Sequence, residues 1–197
     1  LAFSVVMINL TIGLIVGAIC GYYGGWVDTV ISRIMEIFAA FPDLIFAMAI
    51  MTFMGKGVLN LFIALGLLTW VRTARMIRGS VMQLKEKEYV EAARACGAST
   101  YWIIMKELVP NCLSTIIVLV TLGIPNAIMY EASLSFLGIG IQPPTPSWGN
   151  MISAAQTFIS YRPVYSIMPG VAIMITVIAF NIFGDGLRDA LDPKLRS

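Results

Sequence analysis

Histidine is absent from the 197 residues. That single absence removes imidazole acid–base chemistry, Ser–His nucleophile pairs and HExxH zinc sites. Charge is scarce as well, at 12% of residues, against roughly 25% in a soluble domain. The three cysteines, Cys20, Cys96 and Cys112, form neither a CxxC pair nor a metal-ligand spacing and read as small apolar fillers. No GxxxxGK[ST] stretch occurs, so the P-loop mode of holding ATP is excluded for this chain. Short alternating apolar segments of the β-barrel kind are missing too.

What fills the chain instead is long uncharged sequence: 58% of residues are hydrophobic. A helix needs about 20 mostly apolar residues to cross a bilayer. Gaps between charges predict five spans, at Leu1–Val27, Ile37–Gly55, Gly57–Val71 (continuing past Arg72), Leu108–Tyr130 and Pro163–Gly184. Alternating these spans collects Arg33, the Arg72–Lys106 stretch and the tail residues Arg188, Lys194 and Arg196 on one side. Only Lys56 and Arg162 remain for the other. The positive-inside rule makes the first side cytoplasmic, with Leu1 outside and Ser197 inside. An outside N-terminus without an initiator methionine predicts an upstream segment. Leu1–Tyr22 has no basic flank and is too long for a signal-peptide core, so it reads as a membrane helix.

Punctuation refines this plan. Gly21, Gly24 and Gly25 are expected to end the first span, with Tyr22, Tyr23 and Trp26 at the membrane interface. Asp28–Glu36 reads as a short amphipathic helix with Val27, Val30, Ile31 and Ile34 on one face. Pro42 should kink or start the next helix, and Asp43 behind it should reach water or cap that helix. Gly55-Lys56-Gly57 is a tight external turn. Trp70, Arg72, Arg75 and Arg78 read as an interfacial belt. Gly138–Pro163 is a 26-residue external connection rich in Gly, Pro and Ser that can dip toward the membrane. Pro169-Gly170 is expected to interrupt the last span. No repeat or second domain is visible.

The polar stretch between the third and fourth spans has its own architecture. Gln83–Ala95 is built of good helix formers. Gly97 can adopt the left-handed conformation that stops a helix, and Ser99 or Thr100 can cap the next one. Tyr101, Ile104, Met105 and Leu108 form an apolar stripe at helical spacing. Pro110 suits the first turn of the following span. The outcome is helix, glycine corner, helix, across the cytoplasmic face. Small Ala92 and Ala93 allow close approach of another protein.

Glu91-Ala92-Ala93, then Gly97, then Pro110 resembles the EAA loop of permease subunits in binding-protein-dependent ABC importers. Glu131-Ala132-Ser133-Leu134-Ser135-Phe136-Leu137-Gly138, the Gln142–Met151 stretch, and the ending Gly184-Asp185-Gly186-Leu187-Arg188-Asp189-Ala190-Leu191-Asp192-Pro193 are similar to the dipeptide, oligopeptide and nickel group, C-type subunit. The likeness covers nearly the whole chain. It departs in Val109, where the family has Leu, and in lacking the family's first transmembrane helix and the external segment after it.

The resemblance implies an all-α polytopic membrane protein, a single permease domain over residues 1–197 of the type-1 importer fold, with the coupling loop at about 83–112. It implies an inner-membrane subunit that forms half of a pathway for di- or oligopeptides, with nickel or another small solute as the alternative. It implies a sister permease, two cytoplasmic ATPases that bind the ATP and Mg, an extracytoplasmic solute-binding protein and the lipid bilayer as partners, with no nucleic acid. No cofactor and no catalytic or metal site is expected in the chain itself. Glu91, Ala92, Ala93, Gly97 and Pro110 take the ATPase-coupling role.

Glu131 stands apart. It lies 21 residues beyond Pro110, about 31 Å along a helix. It either lines the pathway, or sits at the external edge bonded to a loop or to a neighbouring subunit. Two other classes fit poorly. An intramembrane aspartyl protease using Asp43 and Asp185 would need GxGD, whereas Ile182-Phe183-Gly184-Asp185 lacks the first glycine. A free-standing channel or carrier gives no reason for a helix–glycine–helix loop.

Overall fold

The computed structural model describes residues 2–191, so the expectations for Leu1 and for the tail beyond Leu191, including Asp192, Pro193, Lys194, Arg196 and Ser197, lie outside the described residues. All regular secondary structure among those residues is helical, with no strand. Four helices are long and apolar enough to span a bilayer: α1 (Ala2–Tyr23), α4 (Val58–Leu84), α8 (Leu113–Phe136) and α10 (Val164–Leu191). A fifth crossing is supplied by a bent pair, α2 (Gly25–Ala39) and α3 (Asp43–Met54), which meet at 82°.

The bend is where the expected span Ile37–Gly55 departs from a straight helix. Pro42 forces the residue before it out of the α region, so α2 stops at Ala39 and α3 begins at Asp43, with Pro42 extended at φ −59°, ψ 126°. Twelve residues carry α3 about 18 Å, little more than half the hydrocarbon thickness. α3 alone is therefore too short to cross, and Asp43 stands at its first position. It makes no cap; its carboxylate accepts a hydrogen bond from the Tyr130 hydroxyl at 2.7 Å.

The amphipathic segment is longer than expected and turned. Its inner face is Ile31, Met35 and Phe38, packed against Trp70, Val71 and Ala74 of α4. Trp26, Val30 and Ile34 face outward, as an interfacial helix would present them to lipid. Trp70 is 8% exposed and edge-on to Phe38, so it belongs to the core and not to a belt. Arg78 is no simple surface anchor: its guanidinium donates two bonds of 2.5 Å to the Asp28 carboxylate, fastening α2 to α4.

The glycines of α1 let it pack closely along α4. Gly21 does not end the helix, which runs on to Tyr23 and breaks at Gly24, where φ is +63°. Gly13, Gly17 and Gly21 form one ridge at four-residue spacing. A Cβ on Gly13 would lie 2.5 Å from the Thr73 side chain, one on Gly17 2.6 Å from the Ala74 carbonyl, and one on Gly21 2.8 Å from the Arg78 carbonyl. Small residues at this spacing let helix backbones approach in a membrane, where no hydrophobic force drives them together. Ile8 meets Gly66 farther up, so α1 and α4 run parallel. That geometry demands a return crossing between them, which α2 and α3 provide.

The last spans are displaced from their sequence limits. α8 covers Leu113–Phe136 and keeps Pro125 inside it. Pro169 does not interrupt α10, which continues from Val164 to Leu191 and takes in Asp185, Arg188 and Asp189. Pro169, sixth in α10, forfeits one backbone bond and crowds the turn before it without ending the helix.

Candidate functional site

α4 ends at Leu84, and the Lys87 amide closes a turn on the Leu84 carbonyl at 3.1 Å. The expected single helix from Gln83 is thus the end of α4, a turn, and the short helix α5 (Glu88–Ala95). Glu88 and Glu91 occupy its first turn and Arg94 its last, a distribution that complements the helix dipole. Gly97 has φ +80°. The Ala98 amide donates to the Ala93 carbonyl and the Gly97 amide to Arg94, both at 3.0 Å. These are the two bonds of a Schellman stop. Ser99 then caps the next helical run by accepting from the Trp102 amide at 3.2 Å.

That run is α6 (Thr100–Trp102), a π-helical turn (Ile103–Leu108) and α7 (Val109–Asn111). Pro110 has no N–H and its ring crowds the preceding turn; the widened turn before it accommodates both. Pro110 therefore sits in α7 and not in the spanning helix, which starts after Cys112. The π turn also changes the buried face. Five-residue spacing puts Ile103 and Leu108 inside, while Tyr101 and Met105 of the expected stripe are exposed.

One residue missed in the sequence holds the assembly together. Val90, fully buried, packs in a cluster with Ala18 of α1, Ile77 and Val81 of α4, and Ile103, Leu108 and Cys112. Its signal was visible: it is the one aliphatic branched residue within an otherwise polar and alanine-rich helix. Ala93 packs against the same cluster. Glu91 and Ala92 lie on the opposite, exposed side together with Gly97. Arg94 reaches back over the Tyr22 ring, 5.2 Å from its centroid, a cation–π contact with the end of α1. The Tyr89 hydroxyl has its pKa raised, by burial first and then by the Glu107 carboxylate. Of the expected coupling residues, Glu91, Ala92, Ala93 and Gly97 share α5 and its stop. Pro110 stands apart from them, exposed in α7 between Leu108 and Cys112, which both belong to the Val90 cluster.

Glu131 is elsewhere, 18 residues into α8, about 27 Å from the end of that helix next to α7. Its Oε1 accepts from the Ser135 and Ser147 hydroxyls, each at 2.7 Å. Ser135 in turn accepts from the Ile141 amide at 3.0 Å, and the Asn150 side chain donates to the Ile141 carbonyl at 2.8 Å. Ser147 precedes α9 (Trp148–Ala155), and Gly149 presses so close that a Cβ would lie 2.2 Å from the Ala132 carbonyl. Of the readings open for Glu131, the loop-bonded one describes these contacts. The Glu131–Gly138 and Gln142–Met151 stretches are two halves of one interlock.

A bundle of apolar helices with a docked polar helix at one end and a clamped external helix at the other is the architecture of an importer permease. Residues 13–197 match the family described as binding-protein-dependent transport system inner membrane component, and the chain belongs to that family. It is 42% identical to the glutathione transport system permease protein GsiD of Pectobacterium atrosepticum over 98% of this chain and 64% of that one. It is 44% identical to the dipeptide transport system permease protein DppC of Alkalihalophilus pseudofirmus, over 95% and 62%. Against the oligopeptide transport system permease protein OppC of Haemophilus influenzae it is 43% identical, over 96% and 61%. The chain thus spans less than two thirds of the length of these curated relatives. A structure of the MetNI methionine ABC transporter superposes with a TM-score of 0.72 at 22% identity, covering 97% of this chain and 91% of that one. An amino acid ABC transporter crystal structure gives 0.66 at 15% identity, covering 96% and 90%. These two likenesses carry the fold, that of importer permeases.

Proposed function

We propose that this chain is an inner-membrane permease subunit of an ATP-driven importer, forming half of a pathway for di- or oligopeptides together with a sister permease. The identity of 42–44% to peptide and glutathione permeases over nearly the whole chain carries the substrate class. In this reading an extracytoplasmic binding protein delivers the solute, and two cytoplasmic ATPases hold ATP and Mg. The C-terminus is cytoplasmic, on the same side as α5.

The geometry of α5 supports the coupling role. Its outer face, with Glu91, Ala92 and Gly97, is free to dock on an ATPase. Its inner face is wedged by Val90 against α1, α4 and the helical run leading to α8. ATP-driven closure of the ATPases moves α5, and the buried wedge passes that motion to three helices at once. Only a difference in affinity between inward- and outward-open states can shift their balance, so the docking surface and the wedge must remain rigidly joined.

The test is reconstitution of the complete transporter in proteoliposomes with its binding protein. Peptide uptake should require ATP, and Glu91→Lys should lower ATPase co-purification or uptake per ATP hydrolysed. Wild-type vesicles that hydrolyse ATP in response to loaded binding protein yet take up no peptide would overturn the substrate class. Unaltered coupling in Glu91→Lys would overturn the role of the loop.

A further inference from the structure

A cavity of about 480 Å³ opens between α1, α4, α8 and the α2–α3 bend, and its lining includes Asn9, Asp43, Arg72, Arg75, Asn126 and Tyr130. These are polar groups at membrane depth. Arg72 is 14 residues into α4, about 21 Å from its external end, well inside a hydrocarbon core of about 30 Å. An ionisable side chain at that depth is costly unless it meets a partner or water.

The partners are unevenly distributed. The Asp43 carboxylate is engaged by Tyr130. The ion pairs among the described residues are Arg33 with Glu36 and Arg78 with Asp28; Arg72 and Arg75 are in neither. The cavity therefore holds two guanidiniums against one carboxylate. Asn9 donates through Nδ2 to Thr69, while its Oδ1 is buried without a hydrogen-bond donor. Asn126 likewise spends its Nδ2 on the Leu122 carbonyl at 3.0 Å. The lining thus leaves two guanidiniums facing a single carboxylate that is already engaged, and one amide oxygen without a donor.

We infer that this cavity is a transit subsite for the carboxyl end of a peptide, with Arg72 and Arg75 holding the carboxylate and Asn9 Oδ1 accepting an amide N–H. The inference rests on the importer reading above and narrows its ligand. A guanidinium presents a planar fork of donors that matches a carboxylate. A peptide carboxylate has an amide N–H a few ångströms away, the pairing that the orphaned Asn9 oxygen requires. A peptide amide would satisfy Asn9 and leave the arginines without a counter-charge.

The test uses the complete reconstituted transporter and phenylglyoxal, which labels arginine, read residue by residue by mass spectrometry. The probe peptide is whichever of alanyl-alanine, trialanine and glutathione the wild-type complex takes up, compared with its C-terminal amide. The free acid should slow labelling of Arg72 and Arg75 at least about fivefold, the amide less than twofold, and Arg78 should not respond because Asp28 already holds it. Arg72→Lys should retain most uptake and Arg72→Gln should lose about tenfold, a loss of charge-assisted bonding. Equal protection by acid and amide, or no protection in a complex that does import the peptide, overturns the subsite while leaving the importer reading standing. Absence of ATP-driven uptake in the wild type refutes the importer reading itself.

Discussion

Truncating Val90 to alanine should loosen α5 from the membrane bundle without altering the surface it offers to a partner. Complete burial of a valine side chain contributes about 1.5–3 kcal/mol, and Val90 is 0% exposed. Losing two methyl groups from that cluster should cost about 1.5 kcal/mol, cavity included, which multiplies the undocked population of α5 roughly tenfold. Hydrogen exchange reads this directly. Amides from Ala92 to Ala98, which close the helix and its Schellman stop, should exchange roughly tenfold faster, while those in the middle of α4 should not change. In the reconstituted complex the same variant should keep ATPase binding and lose uptake per ATP hydrolysed, whereas Glu91→Lys strikes the docking face. Val90→Asp, which buries a carboxylate, should produce both effects more strongly. If exchange in α5 is unaffected by Val90→Ala, the wedge does not hold the helix and the transmission argument fails.

Three further outcomes follow from the same geometry. Gly17→Val should drive α1 and α4 apart, since even a Cβ would lie 2.6 Å from the Ala74 carbonyl; overpacking of this kind costs about 1–3 kcal/mol, seen as a lower Tm in detergent, whereas Gly79→Ala, with open space around it, should leave Tm unchanged. Gly97→Ala should destabilise the α5 stop by about 1 kcal/mol, because φ is +80° there; Gly97→Pro should do so more severely and uncouple hydrolysis from uptake, and equal uptake per ATP in both variants would refute the corner's role. Glu131→Ala should release Ser135 and Ser147 and free α9, costing about 1–3 kcal/mol, with faster proteolysis in the external segment 138–163; a cleavage pattern identical to wild type would show that the clamp is not needed.

The membrane class was legible because it depends on composition, a quantity that local packing does not change. The Gly97 stop and the Ser99 cap were equally legible, being local backbone chemistry. The stripe through Tyr101 and Met105 failed because α-helical spacing was assumed where Pro110 forces a wider turn. The glycine ridge was hidden for another reason. Gly21, adjacent to Tyr22 and Tyr23, looked like a terminator, and only the parallel neighbour α4 reveals that it shares a face with Gly13 and Gly17. Trp70 likewise has the character of an interfacial residue until Phe38 covers it. Glu131 kept two readings open in the sequence because its serine partners lie 4 and 16 residues away, the second across a loop that pattern alone cannot close.

The interlocked pair α1 and α4 sets a limit on how the subunit deforms. Three notches at four-residue pitch allow no gradual sliding: the next register lies about 6 Å away and would bring side chains where glycines now sit. The two helices must therefore shift as one strut. Tyr22, under the Arg94 guanidinium, and Val5, beside the cavity, are opposite ends of that strut, which ties the α5 end of the bundle to the cavity wall.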